Sequence, residues 1–435
     1  MRKFLFYLIV ALPICLASKG QTVSQKTSNL IEVPPESAGF SPERLERIDH
    51  SLQQFVTDKW MNGAVTLIMR NGKIVYYRSF GYDDVEKRIP LRKDAIFRIA
   101  SQTKAITAVA VMMLYEEGKF LLDDPISRYI PEFKKPRVLN KFNPADTTYT
   151  VIPANREITI RDLLTHTSGI GYAQIGSKEA NAIYFKNGIT AGLGFDGYES
   201  RLLATDMKKL GRLPLMHQPG EKWTYGLNSD LLGYLVEQIS GMPLDYFFRT
   251  RIFEPLGMND TWFYLPPEKQ ARLANMYEFD STGALQKAPP VLDFNGKNFR
   301  DYPKGKGTYF SGGGGLSSTV KDYAIFLQML LNGGTYNGKR LLAQNTVRMM
   351  TMNQIGSLSL GPNKFGLGFM ITTKEGSAIL PTPESVFEWG GAFATTYWAD
   401  PKEKMVALIY RQLWGDEHHD IADKFKVLVY QALNE

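Results

Sequence analysis

The stretch FRIASQTKAITAVAVMMLYEEGK, residues 97–119, decides how this chain is read. A polar knot, Ser101-Gln102-Thr103-Lys104, opens an apolar run of helical character that Gly118 is placed to stop. Serine caps helices routinely, and lysine is common on helix surfaces. The same two residues, three apart on one helix face, have Cβ atoms about 5–6 Å apart. Lys104 could therefore take the proton of Ser101, provided burial or nearby positive charge lowers its pKa below the usual value of about 10.4. Ala105, Ile106, Ala108, Val109 and Met112 offer such burial. At a helix N-terminus, the backbone N–H of Ser101 would also favour a developing oxyanion.

Spacing alone leaves both readings open, because the chain holds a second Ser-x-x-Lys, Ser318-Thr319-Val320-Lys321. It follows a glycine run and reads as a capped first turn with a solvated lysine. Working outward, Ser41-Pro42 marks a helix start with Leu45, Ile48, Leu52 and Phe55 at helical spacing. In AVTLIMRNGKIVYYRSFG (64–81), two β-rich runs flank Asn71-Gly72, a hairpin signal. Residues 120–320 are loop-rich with helical segments, clearest in ITIRDLLTHTSGI (158–170) and SDLLGYLVEQISG (229–241). Strands return in FGLGFMITT (365–373), EWGGAFATTYWAD (388–400) and KMVALIYRQL (404–413), each read as one strand. A last helix, about 420–433, places Ile421, Phe425, Leu428 and Val429 on one face. The pattern predicts an α+β fold: an antiparallel sheet built from both chain ends, flanked by helices, with a large, mostly helical insert. The α/β part would cover about 35–100 and 320–435, and the helical part about 101–319.

Two downstream motifs bear on Ser101. In PGEKWTYGLNSDLLGYLVE (219–237), Tyr225 precedes a helix, where its phenol could enter a cleft and relay protons beside a lysine. Trp389-Gly390-Gly391 lies on a candidate strand, and paired glycines admit a substrate close to the backbone. The N–H of Ala392 could complete an oxyanion hole with that of Ser101.

FRIASQTK, ITIRDLLTHTSG, the Tyr225 block, RIFEPLGMNDT and the Trp-Gly-Gly strand occur in an order that resembles the serine β-lactamase and penicillin-binding-protein-like superfamily, over roughly residues 35–430. They look most like its class C β-lactamase-related esterase branch. The resemblance implies Ser101 as nucleophile, Lys104 and Tyr225 as its proton partners, and Trp389-Gly390-Gly391 as the third motif. Ser318 matches none of these. β-Lactamases and D-alanyl peptidases carry tyrosine-x-asparagine, whereas here Asn228 comes one residue later, where it is a candidate substrate contact. Their third motif starts with lysine or histidine, whereas Trp389 offers an aromatic face and one N–H donor. Both departures favour esters over substrates held by a carboxylate. The expectation is an exported serine hydrolase forming an acyl-enzyme on Ser101 with a small-molecule ester or amide, with no cofactor. A β-lactamase or D-alanyl peptidase, and a non-catalytic binder of cell-wall fragments on the same scaffold, are the alternatives.

Composition is that of an ordinary soluble globular protein. The net charge is +7, and Arg2, Lys3 and Lys19 supply three of it, which argues against nucleic acid as a partner. Residues 1–20 read as a signal peptide, a basic start followed by an apolar run from Phe4 to Ala17 too short for a comfortable membrane span. Residues 21–435 would be the mature unit. Cys15 is the only cysteine and lies in that run, so a lipid anchor there is the alternative fate of the leader. No later segment reads as a membrane span. Gly192 to Gly197 fits G-x-G-x-x-G without a strand before it or a helix after it, and no G-x-S-x-G elbow is present. None of the five histidines forms a metal motif, and His166 reads as structural.

Overall fold

A computed structural model describes residues 30–189, 202–291 and 299–434. The expected leader with Cys15 and the Gly192–Gly197 segment lie outside the described residues.

Asn71 and Gly72 both take positive φ, 52° and 76°, the geometry of a tight two-residue turn. They join β1 (Gly63–Arg70) to β2 (Lys73–Asp84), which is followed by β3 (Ile89–Pro90). The C-terminal half supplies β4 (Lys364–Phe365), β5 (Met370–Ile371), β6 (Phe387–Gly391), β7 (Thr395–Asp400) and β8 (Met405–Tyr410). These make one sheet in the order β4-β5-β6-β7-β8-β1-β2-β3, every neighbouring pair antiparallel. The β1–β8 pairing, with Val65 opposite Tyr410, joins the two ends of the chain as the hydrophobic pattern implied. Two single-strand readings become hairpins. The 365–373 run folds back as β4 and β5, and the 388–400 run reverses between Gly391 and Thr395, with Ala394 at φ 60°. Ala392-Phe393-Ala394 contains no turn-forming residue type, and the local signal, Gly390-Gly391 just before it, reads in the sequence as room for substrate.

Alternation along β1 sends its side chains into two cores. Val65, Leu67 and Met69 join the large core on one face, while Ala64 and Ile68 join a second on the other. The second core is closed by α1 (Pro42–Thr57), capped by Ser41, and by the C-terminal helix Asp420–Gln431. Its buried residues include Leu45, Ile48, Leu52 and Phe55, as their spacing requires. On the large core's face lies α2 (Thr103–Glu116), buried without a break from Thr103 to Leu114. A helix apolar on all sides belongs in the interior, and α2 packs there beside the helix Asn228–Ser240. The segment between 101 and 319 also contains the hairpin Arg137–Phe142 with Tyr149–Pro153, and the strand Tyr277–Phe279, which pairs with Leu413–Trp414 beyond the sheet. Among the described residues, no helix is long and apolar enough to cross a membrane.

Candidate active site

Ser101 is not a cap. It sits in a 3-10 turn, Ala100–Gln102, and no side chain caps the start of α2. Ala100 before it has φ 42°, a left-handed conformation costly for a residue with a Cβ. Buried packing of Ala100 against Met276 and Phe393 holds it there. So do hydrogen bonds on either side: Ile99 N–H donates to the Leu316 carbonyl (3.0 Å), and the Tyr323 and Tyr410 hydroxyls donate to Gln102 O (2.8 Å) and Oε1 (2.5 Å).

One turn on, Lys104 is 3% exposed. Its Nζ donates to Ser101 Oγ (3.2 Å), Tyr172 Oη (2.9 Å) and the Gly313 carbonyl (2.6 Å), which uses all three ammonium donors. The Tyr225 hydroxyl donates to Ser101 Oγ at 2.6 Å, and its ring lies 4.6 Å from Lys104 Nζ. Tyr225 is aimed by its loop: a Cβ on Gly226 would stand 1.9 Å from the Ile170 carbonyl, so only glycine lets the chain pass so close. The neighbouring amides of Thr224 and Leu227 donate to His166 O and Gly171 O.

His166 supports this loop from below. It is buried, its ring centroid is 5.0 Å from that of Tyr225, and its Nδ1 accepts from Asn228 Nδ2 at 2.9 Å. Burial, reinforced by the Lys104 charge, holds its pKa well below the ordinary histidine value, so the ring is neutral. Asn228 corrects the sequence reading. It is fully buried, its Oδ1 takes a 2.5 Å bond from Ser168 Oγ, and it does not line the cleft. At the first position of the helix Asn228–Ser240, its amide is committed to Ser168 and His166.

Trp389, Gly390, Gly391 and Ala392 line a cleft of about 1080 Å³ together with Ser101 and Tyr225. A Cβ on Gly391 would come within 2.3 Å of the Ile99 carbonyl, so glycine lets the end of β6 press against the Ser101 turn. The Trp389 ring stands 5.6 Å from the Tyr225 ring, half-buried on the cleft wall.

Two residues of the site escaped the sequence reading. Tyr172 is buried, and desolvation first, then the neighbouring Tyr225 and Asp230, push its hydroxyl well above the ordinary tyrosine value. It is a neutral partner for Lys104. Asp230 is fully buried on the helix after Tyr225. Its Oδ1 accepts from Ser311 Oγ (2.6 Å) and Gly313 N–H (3.3 Å), and a Cβ on Gly313 would meet its Oδ2 at 2.3 Å. Burial raises its pKa to about 6 despite those bonds and the Lys104 charge. An acid in an otherwise apolar helix segment, just after Tyr225, was the available signal for Asp230. Tyr172 had none beyond following the THTSG block.

The Beta-lactamase family profile matches residues 48–431. The chain belongs to the beta-lactamase family. Within it, the chain is 35% identical to an uncharacterized protein of Mycobacterium tuberculosis, over 83% of this chain and 88% of that one. It is 30% identical to Esterase EstB of Burkholderia gladioli, over 81% and 86%. Among solved structures, EstCE1, a hydrolase with promiscuous acyltransferase activity, superposes with a TM-score of 0.74 at 25% identity, covering 89% of this chain and 99% of that one. This beta-lactamase family chain is a serine hydrolase, and these relatives support its esterase branch.

Proposed function

We propose that the protein cleaves carboxylic esters through an acyl-enzyme on Ser101. The observation that carries this is the convergence of the Tyr225 hydroxyl (2.6 Å) and Lys104 Nζ (3.2 Å) on one serine oxygen at the wall of an open cleft. Both groups donate to Ser101 Oγ, so one proton must leave the Lys104–Tyr225 pair before attack. Ser101 Oγ then adds to the ester carbonyl while its proton passes into the pair. The backbone N–H groups of Ser101 and Ala392 receive the oxyanion. On collapse the C–O bond to the alcohol breaks, and the pair returns the proton to the leaving oxygen. Water, deprotonated by the same pair, adds to the acyl carbon and frees Ser101. Asp230 acts as a positioning residue, holding Gly313 so that its carbonyl fixes Lys104 Nζ, and placing negative charge beside it.

The ester preference rests on Trp389 and Asn228. Trp389 brings an aromatic wall where a cation would serve a substrate carboxylate, and the Asn228 amide is committed to His166 and Ser168. The leader-like residues 1–20 support export, which N-terminal sequencing of protein recovered outside the cytoplasm tests directly. The activity is tested by a panel of aryl and alkyl esters, amides and a chromogenic cephalosporin on wild type and Ser101→Ala. Esters turned over by wild type alone support the reading, and cephalosporin turnover matching the best ester contradicts it.

A further inference from the structure

The Ala392 amide rides on the reversal between Gly391 and Thr395, and backbone bonds tie that reversal to its neighbours. Ala394 N–H closes it onto Gly391 O at 3.1 Å. Just beyond β8, Arg411 N–H donates to Ala394 O and Leu413 N–H to Phe393 O, each at 3.2 Å. Phe393 is buried against Ala100, the residue before Ser101. A shift of β6, of β7 or of the chain leaving β8 therefore moves the Ala392 N–H relative to Ser101.

Charged side chains fasten the same places. Among the described residues, two ion pairs have both side chains no more than 12% exposed, and both lie here. Glu388, one residue before Trp389 on β6, meets Lys426 Nζ at 2.6 Å. Lys426 comes from the C-terminal helix, and its Nζ also stands 5.5 Å from the ring of Trp398, the β7 residue opposite Glu388. Arg411 grips Asp416 through two parallel bonds, 3.1 and 2.6 Å, and donates to His418 O at 3.2 Å. All four charged residues line the cleft that holds Ser101. A buried ion pair is a poor source of stability, because desolvation offsets the attraction, and an apolar pair of similar volume is often as stable. What such a pair does supply is geometry, since parting the two charges out of water is costly.

We infer that Glu388–Lys426 and Arg411–Asp416 are positioning pairs for the oxyanion hole, fastening the C-terminal segment 416–426 to the strands on either side of the Ala392 reversal. The inference rests on the acyl-enzyme reading of Ser101. The first pair fixes β6 as it enters the reversal. The second fixes Arg411, whose own N–H holds Ala394 O on the way out. Each charge is spent on its partner, so the pairs act through the backbone they hold. Their effect falls where the oxyanion forms, in the transition state, and not on the binding of the neutral ester.

The test removes each pair whole, so that no charge is left buried alone: Glu388→Leu with Lys426→Met, and Arg411→Met with Asp416→Asn, which keeps an acceptor for His418 N–H. Aryl ester kcat and KM are measured per active site, counted by complete fluorophosphonate labelling, together with the thermal midpoint. The inhibition constant of an alkyl boronic acid, whose tetrahedral adduct on Ser101 mimics the oxyanion, is measured alongside. Each double variant should keep its thermal midpoint, lose about tenfold in kcat with KM within about twofold, and bind the boronic acid about tenfold more weakly. Lys426→Arg, which keeps the charge, should stay within about threefold of wild type in kcat. Asp416→Asn alone, at the least buried of the four positions, reads the same effect in a milder variant, about threefold to fivefold in kcat, should a double fail to fold. A kcat within twofold of wild type in a folded double variant, or a loss confined to KM, overturns the inference for that pair and leaves the ester reading standing. So does a loss in Lys426→Arg as deep as in its double variant, or an unchanged kcat in Asp416→Asn where its double does not fold. No turnover of any ester by wild type overturns the Ser101 reading itself.

Discussion

Two Ser-x-x-Lys segments lie side by side in this fold, and they do opposite things. At residues 101–104, the serine sits in a 3-10 turn ahead of the helix and the lysine is sealed inside, with three acceptors on its nitrogen. At 318–321, the serine belongs to a short buried strand, Ser317–Ser318, and the lysine is exposed. There Thr319, not Ser318, caps the helix, accepting from Asp322 N–H at 3.1 Å. The helix begins two residues after the serine in both, so the difference is what precedes it. In the first segment a 3-10 turn, Ala100–Gln102, runs into the helix at Thr103 and Lys104 is buried. In the second an extended pair, Ser317–Ser318, leads to the helix at Val320 and Lys321 is exposed. The second segment also braces the first: Phe97–Arg98 pairs with Ser317–Ser318, and Tyr323 reaches Gln102. One motif is the chemistry, and the other is part of what holds it.

The largest effect separates the serines. Ser101→Ala should lower ester kcat/KM by about 10³-fold or more, whereas Ser318→Ala, which loses a bond to Thr261, should leave it within about twofold and cost roughly 1 kcal/mol of stability. Steady-state kinetics with an aryl ester and urea unfolding read both. The lysines come next. Lys104→Met should cost about 10²–10³-fold in kcat, while Lys321→Met should be silent.

Asp230→Asn probes the wall behind Lys104. The amide keeps an acceptor for Ser311 but removes the charge, so kcat should fall roughly tenfold with KM little changed. The wild-type acid limb near pH 6, the value to which Asp230 is raised, should vanish from the variant's kcat profile. A purely structural role would leave the shape of that profile alone.

The smallest effects fall on stability. Thr319→Ala removes a helix cap and should cost about 1 kcal/mol with activity intact, whereas Ser101→Ala removes no cap and should leave unfolding almost unchanged. Asp322, buried beside Thr319, is raised by desolvation to about 7. Its unfolded value is lower, so between about pH 4 and 7 the folded state binds more protons, and its contribution falls as pH rises through that window. Asp322→Asn should lack this fall, so its stability relative to wild type should climb across the window and level off above it. Denaturant midpoints at several pH values check the sign.

Much of this was legible in the chain. Ser41-Pro42, Asn71-Gly72 and the apolar α2 carry their structure locally, through a cap, a left-handed turn and hydrophobicity on all sides. The order of Ser101, Lys104, Tyr225 and Trp389 was readable, although their meeting in one cleft depends on the whole topology. What escaped depends on contacts far apart in sequence. Tyr172 reaches Lys104 across 68 positions, and Ser311 reaches Asp230 across 81. Asn228 was misread because the contacts that bury it, Ser168 and His166, lie 60 and 62 positions away. The β6–β7 reversal was missed because the Gly390-Gly391 pair before it was read as room for substrate and not as a turn.

The central claim is that Ser101, among all the serines, is the nucleophile. Wild type and Ser101→Ala treated with an alkyl fluorophosphonate, digested and mapped by mass spectrometry test it most directly. The account predicts one adduct, on the peptide containing Ser101, appearing in step with loss of ester hydrolysis, and no adduct on Ser101→Ala. Stoichiometric labelling of Ser101→Ala that still hydrolyses the ester, or an adduct on the peptide containing Ser318, would contradict it.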